Sequence, residues 1–386
     1  MTPPWGLGGK RPIMEKSTAA IHVGTVEDAS RSVAMPLVLS TTFERGDDGL
    51  SFPGSYIYSR DDTPNRRGLE QKLAVLEGGV ECITFASGLA SVMGVVQSLG
   101  AGSHVIVPDD IYYHIRNILG KLYEHWNITY SLVDMTDMNA VRHAIQSNTK
   151  LIWIETPSNP RLKITDIQAI VEIAKARNIL TACDNTWATP YFQLPLEMGV
   201  DISMHATTKY LGGHTDILGG ALIFKEKSAT YEFIRSYQKI GGAVPSPFDC
   251  WLLCRSLSTF HVRMPVHAQN AQLLAEYLSE HPKIEQVLYP GLPSDQYHGV
   301  AAKQMKGGFG GMLSIIVKGG QAESLKIAQS LKLFKHATSL GGVESLIEHR
   351  RSVEGVLSQS PDNLLRISVG LEAVTDLMED FSEALK

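Results

Sequence analysis

The stretch CITFASGLASVMGVVQSLG (Cys82–Gly100), followed by HVIVP (His104–Pro108), reads as strand, tight turn, helix and strand. CITFAS is a short apolar run of the kind that forms a buried strand. GLASVMGVVQSLG has helical length and ends on glycine, and HVIVP is again short and β-branched. The alternation continues outward. Upstream, LEQKLAVLEGG (Leu69–Gly79) has helical spacing and a glycine stop. Downstream come a helix over Arg116–Tyr123, a strand Ile128–Leu132, a helix Ala140–Gln146 and a strand Leu151–Glu155. A helix Ile167–Arg177, a strand Leu180–Asp184, and strands near Asp201–Ala206 and Gly220–Phe224 complete the series. Strands alternating with helices imply an α/β fold with a mostly parallel sheet covered on both faces. Function then sits at the carboxyl ends of the strands.

Outside this core the pattern changes. Residues 1–62 are rich in Pro, Gly, Ser and Thr and poor in periodic segments, so they read as an extended arm packing on something else, such as a second subunit. Residues 63–260 form the large α/β domain. Residues 261–386 form a C-terminal α+β domain, where GGFGGMLSIIV (Gly307–Val317) and LLRISVGL (Leu364–Leu371) alternate with helices such as Ala322–Ser330. Between them, Phe248–Tyr277 reads as one long helix.

Composition narrows the function classes. With 386 residues, 44% hydrophobic and 19% charged, the chain suits packed globular domains of roughly 150 residues each. Its net charge of −5 and lack of a basic block argue against nucleic acid as partner. Apolar runs are too short for a membrane span, and Pro and Gly stand where a signal peptide needs its apolar centre. The expected setting is therefore the cytoplasm. Cys82, Cys183, Cys250 and Cys254 form no CxxC pair and read as buried thiols, so no metal site is expected.

Three features can carry chemistry. Lys209, in MHATTKYLGGHTDILGG (Met204–Gly220), follows an apolar strand and precedes a glycine-rich turn. Small neighbours let a bulky ligand approach the backbone, and a desolvated lysine becomes a nucleophile for an aldehyde. Alone, it could equally be a surface lysine. Asp184, in LTACDNTWATP, ends a strand and could simply cap a helix. Paired with a Schiff-base lysine, it would hold a pyridine nitrogen protonated so that the ring accepts electrons. Ser87-Gly88-Leu89 sits between strand and helix, where free N–H groups and a partial positive charge suit a phosphate. An ordinary N-cap would explain this turn alone, but the ordered combination is far more specific than its parts.

With these residues in place, the chain resembles the Cys/Met-metabolism family of pyridoxal-phosphate enzymes: cystathionine γ-synthase, γ-lyase, β-lyase and methionine γ-lyase. The resemblance runs from PLVLSTTF (Pro36–Phe43) to LLRISVGLE (Leu364–Glu372) through YSRDDTPNRR, ASGLAS, ETPSNP, DNTWATP, TKYLGGHTD, PFDCWLLCRSL, GGFGGMLS and SLGGVESL. It implies fold type I of the pyridoxal-phosphate transferases, similar to aspartate aminotransferase, with pyridoxal 5′-phosphate as cofactor. It implies that Lys209 carries the cofactor and shuttles protons, that Asp184 pairs with the pyridinium nitrogen, and that Tyr112 stacks on the ring and exchanges a proton. Ser87, Gly88, Leu89 and Thr208 would hold the phosphate, with Thr186 and Asn159 also at the cofactor. Tyr58 and Arg60 would reach that phosphate from a neighbouring subunit, so that a dimer is the minimum active unit; the resemblance further implies a homotetramer of such dimers. Arg366, Ser339, Asn159 and Tyr58 would bind the amino-acid substrate.

The chain departs from this family at several positions. Ala206 stands where a phosphate-binding Ser is usual, and Tyr113-His114 follow Tyr112 where γ-acting members have Gly-Gly. Ile57, Asn117 and Thr338 stand where cystathionine users often carry charges, so a zwitterionic distal head would not be held in the usual way. Ser158-Asn159-Pro160 and Leu340-Gly341-Gly342 lean toward γ-chemistry; Ala206 and the bulky residues after Tyr112 lean toward the β-lyase branch. The expected function is γ-replacement or γ-elimination on an O-acylhomoserine or thioether amino acid. The alternatives are a β-lyase giving pyruvate, an aminotransferase, and a cofactor-binding scaffold without turnover.

Overall fold

The computed structural model of the chain describes residues 14–26, 31–355, 358 and 360–386. Seven strands form the first sheet: β1 (Glu81–Phe85), β2 (His104–Pro108), β3 (Thr129–Val133), β4 (Thr149–Glu155), β5 (Leu180–Asp184), β6 (Ile202–His205) and β7 (Gly220–Phe224). Their order is β1-β7-β6-β5-β4-β2-β3. The pairs β2–β3, β2–β4, β4–β5 and β5–β6 are parallel, whereas β7 is antiparallel to both its neighbours. A parallel neighbour needs a crossover, usually helical. The 206–219 connection contains no helix and returns the chain directly, so β7 runs backwards. Because β1 and β6 both oppose β7, the carboxyl ends of β1, β6, β5, β4 and β2 share one rim.

Packing explains why these residues form these elements. Every residue of β4 except Lys150 is buried, with Trp153 among the largest enclosed side chains. The helix Gly88–Gln97 starts where Ser87 Oγ accepts from the Ala90 N–H at 3.1 Å. It presses Val92, Val95 and Val96 into the core, each worth about 1.5–3 kcal/mol relative to exposure. The helix Ile167–Lys175 is capped by Asp166, which accepts from the Ala169 N–H at 3.1 Å, and buries Ile167, Ile170 and Val171 on the opposite face.

A second sheet holds β8 (Ile284–Leu288), β9 (Met312–Val317), β10 (Lys335–His336), β11 (Leu346–His349) and β12 (Leu364–Ser368), in the order β10-β11-β12-β9-β8. All of β12 is buried, and its register places Arg366 between Glu348 on β11 and Ser314 on β9.

The stretch read as one helix over Phe248–Tyr277 is two, Pro247–Leu257 and Phe260–Ser279. At the break Thr259 Oγ1 donates to the Ser256 carbonyl at 3.2 Å, and Arg263 Nη2 donates to it at 3.1 Å. The same carbonyl accepts the Thr259 N–H at 3.2 Å, a tighter backbone turn than the α-helix makes. The helix expected over Arg116–Tyr123 begins earlier, at Tyr113, and passes into a wider turn over Ile118–Leu122. Within the arm, Lys16–His22 is helical. Residues 41–43 run beside 57–59, joined by Phe43 N–H to Ile57 O at 3.2 Å and Ser59 N–H to Thr41 O at 2.9 Å.

Candidate active site

The shared rim gathers the residues singled out in the sequence. Ser87 follows β1, Lys209 follows β6, Asp184 ends β5, Asn159 lies just beyond β4, and Tyr112 follows β2. Two glycines allow the tight turn at Ser87. A Cβ on Gly88 would meet Ala206 Cβ at 3.0 Å, and one on Gly220 would lie 2.2 Å from Ser91 Oγ. The first turn of the helix Gly88–Gln97 therefore presses against the strand ends with its N–H groups toward the rim. Leu89 is half-buried there. Thr208 is anchored by Gly219, accepting its N–H at 3.1 Å and donating to its carbonyl at 3.3 Å.

Asp184 accepts from the Thr186 N–H at 3.0 Å, and Thr186 Oγ1 accepts from the Ala206 N–H at 2.9 Å. Thr186 thus couples Asp184 to the segment bearing Lys209. Glu155 sits beside Asp184 in the β4–β5 register. Burial, and then the Asp184 charge, pushes the Glu155 carboxyl well up, while the Tyr112 N–H donates to it at 3.0 Å. Asp184 is raised by burial but opposed by Thr186, His205 and Lys209. Thr186, His205 and Lys209 thus favour the ionised form of Asp184, whereas burial beside Asp184 disfavours that of Glu155.

Lys209 Nζ donates to Ser339 Oγ at 2.8 Å. Burial and the nearby Arg366 bring its pKa down to about 8, with Glu348 and Asp184 opposing. Ser339 holds a left-handed φ of 112°, unusual for a serine and fixed by its surroundings. Its carbonyl accepts from Arg366 Nη2 at 3.1 Å, while Arg366 Nη1 donates to Asn159 Oδ1 at 3.1 Å. Burial and the charge of Arg350 lower Arg366 to about 10. Tyr112 is raised by burial and pulled back by Arg350 and Arg366. Its ring meets His114 edge-on at 5.4 Å.

The arm residues stand apart. Tyr58 is exposed, and Arg60 donates to the Lys239 carbonyl at 2.5 Å. Among the described residues of one chain, neither is hydrogen-bonded to the group around Lys209. Sequence reasoning missed Glu155, Glu348 and Arg350. Glu155 lay inside a motif already noted, ETPSNP. Glu348 and Arg350 lie in IEHRRSVE (Ile347–Glu354), whose charges gave no sign of burial.

An amine of lowered pKa, a carboxylate at a strand end and a helix N-terminus on one rim make a site for a phosphorylated pyridine aldehyde. Comparison with known proteins agrees. The family model for Cys/Met metabolism PLP-dependent enzymes matches residues 17–386. The chain belongs to this family. It is 43% identical to cystathionine gamma-synthase of Mycobacterium leprae, over 98% of each chain. It is 42% identical to cystathionine beta-lyase of Coxiella burnetii, over 95% of this chain and 97% of that one. The solved structure of metB from Corynebacterium glutamicum superposes with a TM-score of 0.93 at 39% identity, covering 97% of this chain and 98% of that chain. This transsulfuration-family chain is therefore a pyridoxal-5′-phosphate-dependent enzyme of the α/β fold those structures share. Among its described residues no helix is long and apolar enough to cross a membrane.

Proposed function

We propose that the enzyme catalyses γ-replacement or γ-elimination on a γ-substituted L-amino acid, of the O-acylhomoserine or thioether type. The observation that carries this reading is the 3.1 Å bond between Asn159 and Arg366. It makes Ser158-Asn159-Pro160 part of the carboxylate clamp, in the form that favours γ-chemistry in this family.

Bound pyridoxal phosphate supplies the electron sink for a carbanion. The chain's own residues do the rest. The N–H groups of Gly88 and Leu89, with Ser87 and Thr208, would hold the phosphate. Asp184, fixed by Thr186, would pair with the ring nitrogen, and Tyr112 would stack on the ring. The α-carboxylate is taken by Arg366, Asn159 and Ser339. Lys209, lowered in pKa to about 8, can accept the α-proton, give it up, and only then accept a β-proton. Ser339 Oγ accepts from Lys209, so its own proton is available to the substrate carboxylate. The Tyr112 phenol gives its proton to a departing thiolate; a carboxylate leaving group departs without one.

Tyr58 and Arg60 would complete the phosphate site of a neighbouring subunit, which would give the 1–62 arm its purpose and make a dimer the minimum active unit, with a tetramer of such dimers the habit of the family. The two sheets support the division into a large domain at 63–260 and a C-terminal domain at 261–386. Four free, buried cysteines suit the cytoplasm, where thiols stay reduced.

β-Elimination to pyruvate is the second reading. Ala206 against Gly88, and the rings of Tyr113 and His114 beside Tyr112, favour it. Mass spectrometry of products from O-acetylhomoserine, O-succinylhomoserine, methionine, cystathionine and cysteine, with and without thiol, separates the two. 2-Oxobutyrate or a γ-adduct supports the first reading; pyruvate alone overturns it.

A further inference from the structure

We propose that Arg350 is a positioning residue for carboxylate recognition: by sharing Glu348 with Arg366, it leaves Arg366 with positive charge to offer a substrate. This inference rests on the reading that Arg366 holds the substrate carboxylate. Glu348 Oε2 lies 2.7 Å from Arg366 Nη2 and 2.8 Å from Arg350 Nη1, and all three side chains are buried. The other carboxylate oxygen of Glu348 accepts from Thr338 Oγ1 at 2.5 Å.

A buried Glu348–Arg366 pair by itself is neutral, and its carboxylate repels an incoming anion at short range and low dielectric. Adding Arg350 to the same oxygen compensates Glu348 a second time, so Arg366 is less fully cancelled by Glu348 and forms the positive end of the chain. Arg350 is held on its far side by Glu354, 2.7 Å from Nη2. That acid is in turn satisfied by Ser358 at 2.5 Å and Ser360 at 3.0 Å. The charges therefore alternate away from the clamp, and the end facing Asn159 stays positive. Arg350 Nε is buried without a hydrogen-bond partner, so the guanidinium is not placed to saturate its donors.

Charge rescue tests this. Propionate, a carboxylate without an amine, is titrated into holoenzyme by calorimetry. Propylamine, an amine without a carboxylate, is titrated through the visible absorbance of the bound cofactor. R350M is expected to weaken propionate roughly tenfold while leaving propylamine within about twofold. The double variant R350M/E348Q removes both charges and is expected to recover propionate affinity to within about threefold of the parent. If R350M leaves propionate unchanged, or if the double variant is as weak as R350M, the inference is overturned. Should R350M fail to fold, E348Q alone decides: tighter propionate binding supports the inference, and equal or weaker binding overturns it. R366Q separates the two layers. If it leaves propionate binding intact, the assignment of Arg366 fails. If R366Q weakens binding and R350M does not, only the role of Arg350 fails.

Discussion

The two halves of the site are built from different materials. The rim of the seven-stranded sheet is lined by helix N–H groups, glycines that allow close approach, and a strand-end carboxylate tied by Thr186. On the five-stranded sheet, the clamp is a chain of buried charged side chains, Arg366–Glu348–Arg350–Glu354. Backbone donors are fixed by fold geometry and tolerate change around them. A buried charge chain depends on every member, because removing one leaves a neighbour uncompensated. The first half suits an invariant task such as gripping a cofactor; the second can be altered one residue at a time to suit a substrate.

Lys209→Ala should show the largest effect, since nothing else on the rim can replace its amine. The visible absorbance of bound cofactor should vanish and turnover should fall by ~10³-fold or more. Residual activity within tenfold of the parent would sink the role given to this residue. Asp184→Asn comes next. It keeps the shape but loses the charge facing the ring nitrogen, and kcat/KM should fall by about 10²- to 10³-fold with modest change in KM. A loss confined to KM would move Asp184 from chemistry to binding and weaken the contrast between the halves.

Below these lies a stability effect in the cofactor-free protein. The folded pKa of Lys209 is about 8 against an ordinary 10.5. The unfolded chain therefore binds more protons between these values, and stability should rise with pH across that window. The burial penalty is fully present below pH 8, amounts to about 3 kcal/mol, and is relieved above roughly 10.5. Lys209→Met should accordingly stabilise the apoprotein near pH 7 and lose its advantage at high pH. Urea melts of both proteins across pH test this; parallel curves would contradict it. The smallest effect belongs to Ser87→Ala, which deletes the cap on Ala90 N–H and should cost about 1 kcal/mol by thermal or urea unfolding. A cost near zero would mean that packing alone fixes this helix start.

Legibility in the sequence follows the same division. Strand, Ser-Gly turn and helix announce the rim because local propensity and glycine spacing act within a few residues. Asp184 is readable because it ends an apolar strand, and Lys209 because it follows one and precedes a glycine-rich turn. The clamp was legible only at Arg366, through family resemblance. Glu348 meets Arg366 through β11–β12 pairing across 18 positions, and no local pattern in IEHRRSVE distinguishes a buried ion chain from a solvated one. The break between Leu257 and Phe260 was hidden for a related reason. The backbone tightens at Thr259, with the Thr259 hydroxyl and Arg263 on the same carbonyl, inside a stretch whose spacing reads as continuous.

The bond from Lys209 to Ser339 has one more consequence. Cells contain many small aldehydes, and an unguarded nucleophilic amine would collect them. Here the amine begins engaged across the two sheets, so a newcomer must displace a serine before it can react. A bare aldehyde gains little elsewhere to offset that loss. On the proposed reading, one that also carries a phosphate would lodge it on the helix start at Ser87, and so the empty enzyme would discriminate among its suitors before any chemistry begins.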